Sequence, residues 1–243
     1  MTALLEVCGV SKRFGGLQAL ENVSFGIEEG MISSLIGPNG AGKTTLFNVV
    51  AGTLRADSGT TTFQGDDITR LRPYQVSRKG IARTYQLRNI FPALSVYDNV
   101  LAGMLKERGQ VRAKHAEVLA ILKFVGLEEK AAEVASNLPP LEAKLVELGR
   151  ALASRPKLLL LDELVGGLVP SETEQICRAV CALREIGVTI LQIGHEMGPI
   201  MKTSDWVVVL NRGTKLAEGT VEEILNNEAV HDVYLESAGS EDE

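Results

Sequence analysis

The sequence predicts an α/β fold: a parallel-sheet core, an antiparallel β subdomain beside it, and an all-helical subdomain inserted between two β-containing parts. Three stretches carry that prediction. Residues 32–45 read Ile-Ser-Ser-Leu-Ile-Gly-Pro-Asn-Gly-Ala-Gly-Lys-Thr-Thr, an apolar run leading into Gly-x-x-x-x-Gly-Lys-Thr, and a helical-looking segment, 46–51, follows. Residues 157–163 read Lys-Leu-Leu-Leu-Leu-Asp-Glu, the uninterrupted apolar pattern of a parallel strand covered on both faces. Residues 95–154 read as helices alone.

The elements follow in order. Residues 4–10 and 23–27 read as strands around a turn at Arg13-Phe14-Gly15-Gly16, and 60–63 is a further β-rich run ended by Gly65-Asp66-Asp67. Short turns between these strands suit a small antiparallel sheet. Residues 73–79 read as a short helix with proline in its first turn, and 81–85 as a strand leading to Gln86. Ser95 and Asp98 have capping-box spacing and start a helix towards Arg108. Residues 114–125 are apolar at Val118, Leu119, Ile121, Leu122 and Val125, with Gly126 as the stop. Leu141, Leu145, Leu148 and Leu152 repeat on one helix face behind Pro139-Pro140. Ser171 and Glu174 form a capping box for a helix over 172–186, closed by Gly187. Residues 188–193 read as a second buried strand ending at Gly194-His195-Glu196. Residues 206–210 and 215–217 are strands around Asn211-Arg212-Gly213, and Thr220 with Glu223 caps a helix to about Asn226. The tail, 237–243, is acidic, rich in small residues, and expected to fray.

The chemistry concentrates at strand ends. Glycines at 37, 40 and 42 let the backbone wrap so that successive N–H groups converge on one anion, while the following helix points its positive end at the same place. Lys43 would reach the β/γ-phosphates and the Thr44 hydroxyl would ligate Mg²⁺. The reading is a P-loop NTPase core. Asp162 and Glu163 end an apolar strand, where open α/β sheets bind ligands. Asp162 is therefore the second Mg²⁺-directed group, and Glu163 the residue that orients and deprotonates water. Gln86 sits where a strand stops; periodicity alone favours a surface residue, with projection towards a phosphate as the alternative. His195 follows a strand end too, and reads as either a satisfied structural histidine or a functional one.

Composition bounds the rest. A chain of 243 residues with 45% hydrophobic and 23% charged residues is ordinary for a globular protein with a sizeable core. A net charge of −6 argues against nucleic acid as the main partner. No run is long enough to cross a bilayer, and the N-terminus lacks signal-peptide features, so a cytosolic protein is expected. Cys8, Cys177 and Cys181 form no disulfide or metal framework, and the latter two read as buried thiols.

Taken together, the phosphate loop, Gln86, the helical insert, the Leu-Leu-Leu-Leu-Asp-Glu strand and His195 occur in the order of an ABC-type ATPase, and the resemblance spans essentially the whole chain. Within that family the chain most resembles the ATP-binding subunits of branched-chain amino acid uptake systems. Arg13-Phe14-Gly15-Gly16-Leu17, Gly80-Ile81-Ala82-Arg83-Thr84-Tyr85-Gln86, Gly149-Arg150-Ala151-Leu152-Ala153, Ala217-Glu218-Gly219-Thr220 and Val233-Tyr234-Leu235 carry the match. The resemblance implies one ABC-type ATPase domain, with a core and β subdomain over 1–94, a helical subdomain over 95–154, and the core continued over 155–236.

The same resemblance implies an energy-coupling ATPase of an importer, using ATP and Mg²⁺. Gly37, Pro38, Asn39, Gly40, Ala41, Gly42, Lys43, Thr44 and Thr45 would line the nucleotide, and Phe14 would stack on adenine, a buried core Phe being its alternative. Gln86 would touch Mg²⁺ and the attacking water, Asp162 would hold Mg²⁺, Glu163 would be the general base, and His195 would contact the γ-phosphate. Implied partners are a second ATPase subunit, two transmembrane permease subunits and an extracytoplasmic solute-binding protein, at the cytoplasmic face of the membrane.

Three departures stand out. The family signature, close to Leu-Ser-Gly-Gly-Gln, stands here as Leu138-Pro139-Pro140-Leu141-Glu142. The proline usual after the catalytic Glu is Leu164, and the polar residue usual in the next loop is Val169. Because a signature serves the partner's nucleotide, a heterodimer is expected, in which the second ATPase supplies a better signature to this chain's intact site. Two other classes compete. A regulatory nucleotide-binding subunit with little hydrolysis fits the altered signature. A soluble ABC-type machine acting on nucleic acid lacks support from the charge.

Overall fold

The computed structural model describes residues 3–84, 90–104, 111–194 and 196–239. Strand β1 (Leu5–Phe14) pairs antiparallel with β2 (Leu17–Ile27) and, on its other edge, with β4 (Ser58–Phe63); β5 (Asp66–Asp67) completes this four-stranded sheet. The first hairpin is longer than its apolar pattern suggests. Pairing continues to Phe14↔Leu17, so Phe14 lies in a strand and the turn shrinks to Gly15-Gly16. Polar residues such as Lys12, Arg13 and Gln18 hide the alternation because this end of the hairpin projects into solvent.

The second sheet has the order β10-β9-β3-β8-β7-β6. Its members are β3 (Ile32–Ile36), β6 (Ile81–Arg83), β7 (Leu158–Asp162), β8 (Thr189–Ile193), β9 (Trp206–Asn211) and β10 (Thr214–Gly219). All neighbours run parallel except β9 and β10, which form an antiparallel edge hairpin.

Alternate residues of the central strands feed opposite faces, as a two-residue side-chain period demands. Leu158 and Leu160 join Leu35, Leu191, Ile193, Val208 and Leu210 in a core shared with the antiparallel sheet and with α1 (Lys43–Val50). Leu159 and Leu161 face the other way, into a second core with Ile32 and Ile190. That core includes α3 (Val96–Ala102), α4 (Val111–Phe124), α5 (Pro140–Leu152) and α6 (Pro170–Glu185). Each fully buried leucine contributes about 1.5–3 kcal/mol from apolar burial. The buried Ser34 of β3 is satisfied: Gln192 Nε2 donates to its Oγ at 2.8 Å, and it pairs with Ser204.

Helix α2 (Pro73–Lys79) matches its expected span, and Ser95 caps α3 by accepting the Asp98 N–H at 3.0 Å. Helix α3 nevertheless ends at Ala102, short of the expected Arg108. At α6 the expected cap is displaced. The cap residue is Val169, whose N–H donates to Glu172 Oε2 at 3.1 Å, so the box at Ser171 and Glu174 does not form.

Two helices were not expected: α7 (Met197–Thr203) and, after α8 (Val221–Leu225), α9 (Glu228–Gly239). Helix α9 extends to Gly239, into the first residues of the acidic tail. Cys177 and Cys181 are only half-buried, and burial pushes the Cys177 thiol up. Among the described residues no helix is long and apolar enough to cross a membrane.

Candidate nucleotide site

The loop from β3 to α1 is shaped by close backbone approaches. Gly37 (φ 146°) lies so near Leu210 that a Cβ would sit 2.1 Å from its carbonyl oxygen; at Gly42 (φ 101°) a Cβ would meet the Ala19 carbonyl oxygen at 2.6 Å. Both are positions where only glycine fits. The loop thus rests between the β1–β2 hairpin and the β9–β10 turn, where the Gly213 N–H donates to the Ala41 carbonyl at 3.1 Å. Asn39 and Gly40 are exposed at the loop's tip, Pro38 is half-buried and Ala41 is buried.

Lys43 opens α1 and is buried. Its ammonium donates to the Gly37 and Pro38 carbonyls at 2.6 and 2.9 Å, folding back over the loop. Burial lowers its pKa, against an upward pull from the negative charge of Glu163. Thr44 is exposed and Thr45 half-buried at the same helix N-terminus, whose first N–H groups have no helical partner. A cradle of glycine backbone, an ammonium and a free helix N-terminus can hold a polyphosphate.

At the end of β7, Asp162 is buried and its N–H donates to Thr84 Oγ1 at 3.2 Å. Arg83 Nη2 reaches Asp162 Oδ2 at 2.6 Å, while its Nη1 reaches Asn48 Oδ1 on α1, also at 2.6 Å. Glu163, half-buried, holds a left-handed backbone angle (φ 46°) that costs a non-glycine residue about 1–3 kcal/mol. Its N–H donates to the Ile193 carbonyl at 3.0 Å, which ties the ends of β7 and β8 together.

No group of three or more His, Cys, Asp or Glu side chains suited to a metal occurs among the described residues. The available donors are the Thr44 hydroxyl and the Asp162 carboxylate. They suit Mg²⁺, which keeps several waters and takes few protein ligands beside substrate phosphates.

Phe14 is 47% exposed rather than a core residue, with the Lys12 ammonium 5.5 Å from its ring centroid and Leu17 exposed opposite. Gln86 and His195 lie outside the described residues. The structure therefore brings Lys43 and its loop within electrostatic reach of Glu163, and ties Asp162 to α1 through Arg83.

Two contacts were not foreseen. Arg83 gives no periodic signal; it lies within the 80–86 stretch that carries the family resemblance, at the end of a strand beside β7. Tyr234 on α9 accepts a hydrogen bond from the Gly37 N–H, and burial pushes its phenol up to about 12. It packs with Ile36, Val207, Val209 and Val230, so the C-terminal helix braces the strand that enters the loop.

The altered signature forms the start of α5. Pro139 is the cap, with no side-chain hydrogen bond, and Pro140 is the first helical residue, so neither offers an N–H. Asn137 belongs to a separate 3₁₀ turn and does not cap α5. Lys130 Nζ holds both Glu142 carboxylate oxygens at 2.6 Å. Val169 is 56% exposed in the following loop.

Comparison with known proteins extends this picture. The ABC transporter family profile matches residues 20–166, and that of the branched-chain amino acid ATP-binding cassette transporter matches residues 214–235. The chain is 40% identical to the high-affinity branched-chain amino acid transport ATP-binding protein LivG of Salmonella typhimurium, across 97% of this chain and 98% of that one. It is 36% identical to the probable LivG of Archaeoglobus fulgidus, across 98% and 97%. A crystal structure of an ABC transporter's ATP-binding cassette in its ADP conformation superimposes with a TM-score of 0.85 at 30% identity, covering 97% of this chain and 99% of that one. The glycine cradle, the acidic strand end and near full-length likeness lead to one assignment: the chain belongs to the ABC transporter family, as an ATPase of that family.

Proposed function

We propose that this ATPase powers an importer for branched-chain amino acids or similar small organic solutes, and that it turns over ATP in a site completed by a second ATPase subunit. The observation that carries the site is geometric: Arg83 joins the carboxylate of Asp162, at the end of β7, to Asn48 on α1, the helix that begins with Lys43. The loop and the acidic strand end therefore share one site. The solute class rests on the names of the relatives.

In this reading the loop residues 37–45 cradle the phosphates, and Lys43 leaves its carbonyl partners for the β/γ-phosphates. The exposed Phe14 and Leu17 offer adenine an apolar platform. Bound Mg²⁺, held by Thr44 and Asp162, would neutralise the phosphates and the charge developing on them. Glu163 takes the proton from the attacking water, and the family resemblance supports contact of Gln86 with that water and of His195 with the γ-phosphate. The partner ATPase presents its signature helix to this site, whereas Pro139-Pro140 on α5 offers the partner's nucleotide few donors. That asymmetry supports a heterodimer.

A groove of about 360 Å³ between α2, β6, α3 and α5 includes Phe91 and Arg150, whose guanidinium lies 5.2 Å from the Phe91 ring centroid. It suits a segment of a transmembrane permease subunit, which would hold the ATPase at the cytoplasmic face of the membrane, with an extracytoplasmic solute-binding protein on the far side.

The test is Glu163→Gln in the chain assembled with its partner ATPase. Loss of the base lowers turnover by about 10²–10⁴-fold with ATP binding retained. Turnover within a few-fold of the unaltered chain removes Glu163 from the role of base.

A further inference from the structure

Arg83, which lies within the 80–86 stretch of the family resemblance, has a job of its own at the metal side of this site. Its side chain is 11% exposed and that of Asp162 is 5% exposed, so the 2.6 Å pair between them is a nearly dry ion pair. The other arm of the same guanidinium is hydrogen-bonded to Asn48, and its Cζ lies 5.0 Å from the ring centroid of Phe47, the residue before Asn48 on α1. Arg83 thus bridges the two elements that would supply protein ligands to Mg²⁺: α1, which begins Lys43-Thr44, and the end of β7.

A carboxylate buried to this degree needs a counter-charge whenever the metal is absent. Arg83 supplies one and keeps the carboxylate in place. It cannot leave on a long excursion, because the Asn48 contact and the Phe47 ring hold its other side. When Mg²⁺ arrives, two cations must share one carboxylate, and their mutual repulsion weakens metal binding.

We propose that Arg83 is a positioning residue for Asp162: a built-in counter-ion that holds the carboxylate in the metal-free protein and sets a low affinity for Mg²⁺. This rests on the reading that Asp162 holds the metal.

The full-length chain tests it by calorimetric titration with ADP at graded Mg²⁺, which gives the Mg²⁺ concentration of half-effect, and by the thermal midpoint in EDTA. Arg83→Gln removes the charge and keeps a hydrogen-bonding group. It should lower the midpoint in EDTA and lower the half-effect Mg²⁺ concentration by about tenfold, the size expected for removing one charge near a divalent ion. Arg83→Lys keeps the charge but cannot span Asn48 and Asp162 at once, and should fall between. A half-effect concentration in Arg83→Gln equal to or above that of the unaltered chain overturns the proposal. If Arg83→Gln does not fold, Arg83→Met, which also removes the charge, decides on the same criterion.

Asp162→Asn separates the two failures. If it abolishes the Mg²⁺ effect while Arg83→Gln behaves like the unaltered chain, only the role of Arg83 fails. If it leaves the Mg²⁺ effect intact, the metal reading fails and takes the Arg83 proposal with it.

Discussion

Tyr234 shows how a single side chain far along the sequence can shape the phosphate loop. Its phenol accepts the Gly37 N–H, the first amide of the loop, while its ring packs beside Ile36 and Val209. Tyr234→Phe keeps the ring and loses the acceptor, leaving a buried amide without that partner, a change that costs about 1–3 kcal/mol. The expected outcome is weaker ATP binding with turnover at saturating ATP little changed, measured as a rise in KM against a steady kcat. A pH test follows from the same residue. The folded phenol titrates at about 12, above the ordinary 10 of tyrosine, so the unfolded chain loses its proton first. The stability contributed by the neutral phenol is complete below pH 10 and drains away as pH rises towards 12. Urea midpoints at pH 9 and 11 should therefore fall further for the unaltered chain than for Tyr234→Phe.

Among the elements, α5 departs most from the signature that the family resemblance implies. Two prolines remove donors at its N-terminus, and Glu142, clamped by Lys130, places a carboxylate in the first turn. Free N–H groups and a positive dipole end favour anions at such a position, and each loss weakens that preference. Replacing Pro139→Ser, Pro140→Gly, Leu141→Gly and Glu142→Gln should raise ATP turnover of the chain on its own, read as steady-state phosphate release.

Element boundaries also show where sequence patterns stop informing. Strands β3, β7 and β8 were legible because their apolar runs face two cores at once. Helix α7 was not, since Met197-Gly198-Pro199 reads as a breaker although proline is tolerated in a helix's first turn. The cap of α6 was misplaced because it is made by the Val169 N–H donating to the Glu172 carboxylate, and Val169 lacks the side-chain acceptor by which Ser171 suggested a cap. The role of Arg83 was invisible for a different reason. Its partners, Asn48 and Asp162, come together only when β6 lies beside β7, a pairing no local pattern encodes.

At the scale of the whole molecule, the parallel sheet places Lys43 and Glu163 at the same edge although 120 positions of sequence separate them by number. Both cores are needed for that placement. Leu160→Ala, in the central β7, should cost about 2–5 kcal/mol through the cavity it leaves. The thermal midpoint in the absence of nucleotide reads that loss. A saturating nucleotide at 100 times its Kd should restore about 2.7 kcal/mol by binding only the folded chain.

The altered α5 and the intact loop together make a claim about assembly: this chain's site works when another ATPase supplies the facing signature. Steady-state ATP turnover of the purified chain, alone and then mixed with the second ATPase subunit, tests that claim most directly. Turnover should be low alone and rise on mixing, and Glu163→Gln should abolish the rise. Full turnover by the chain alone, unchanged by the second subunit, would contradict it.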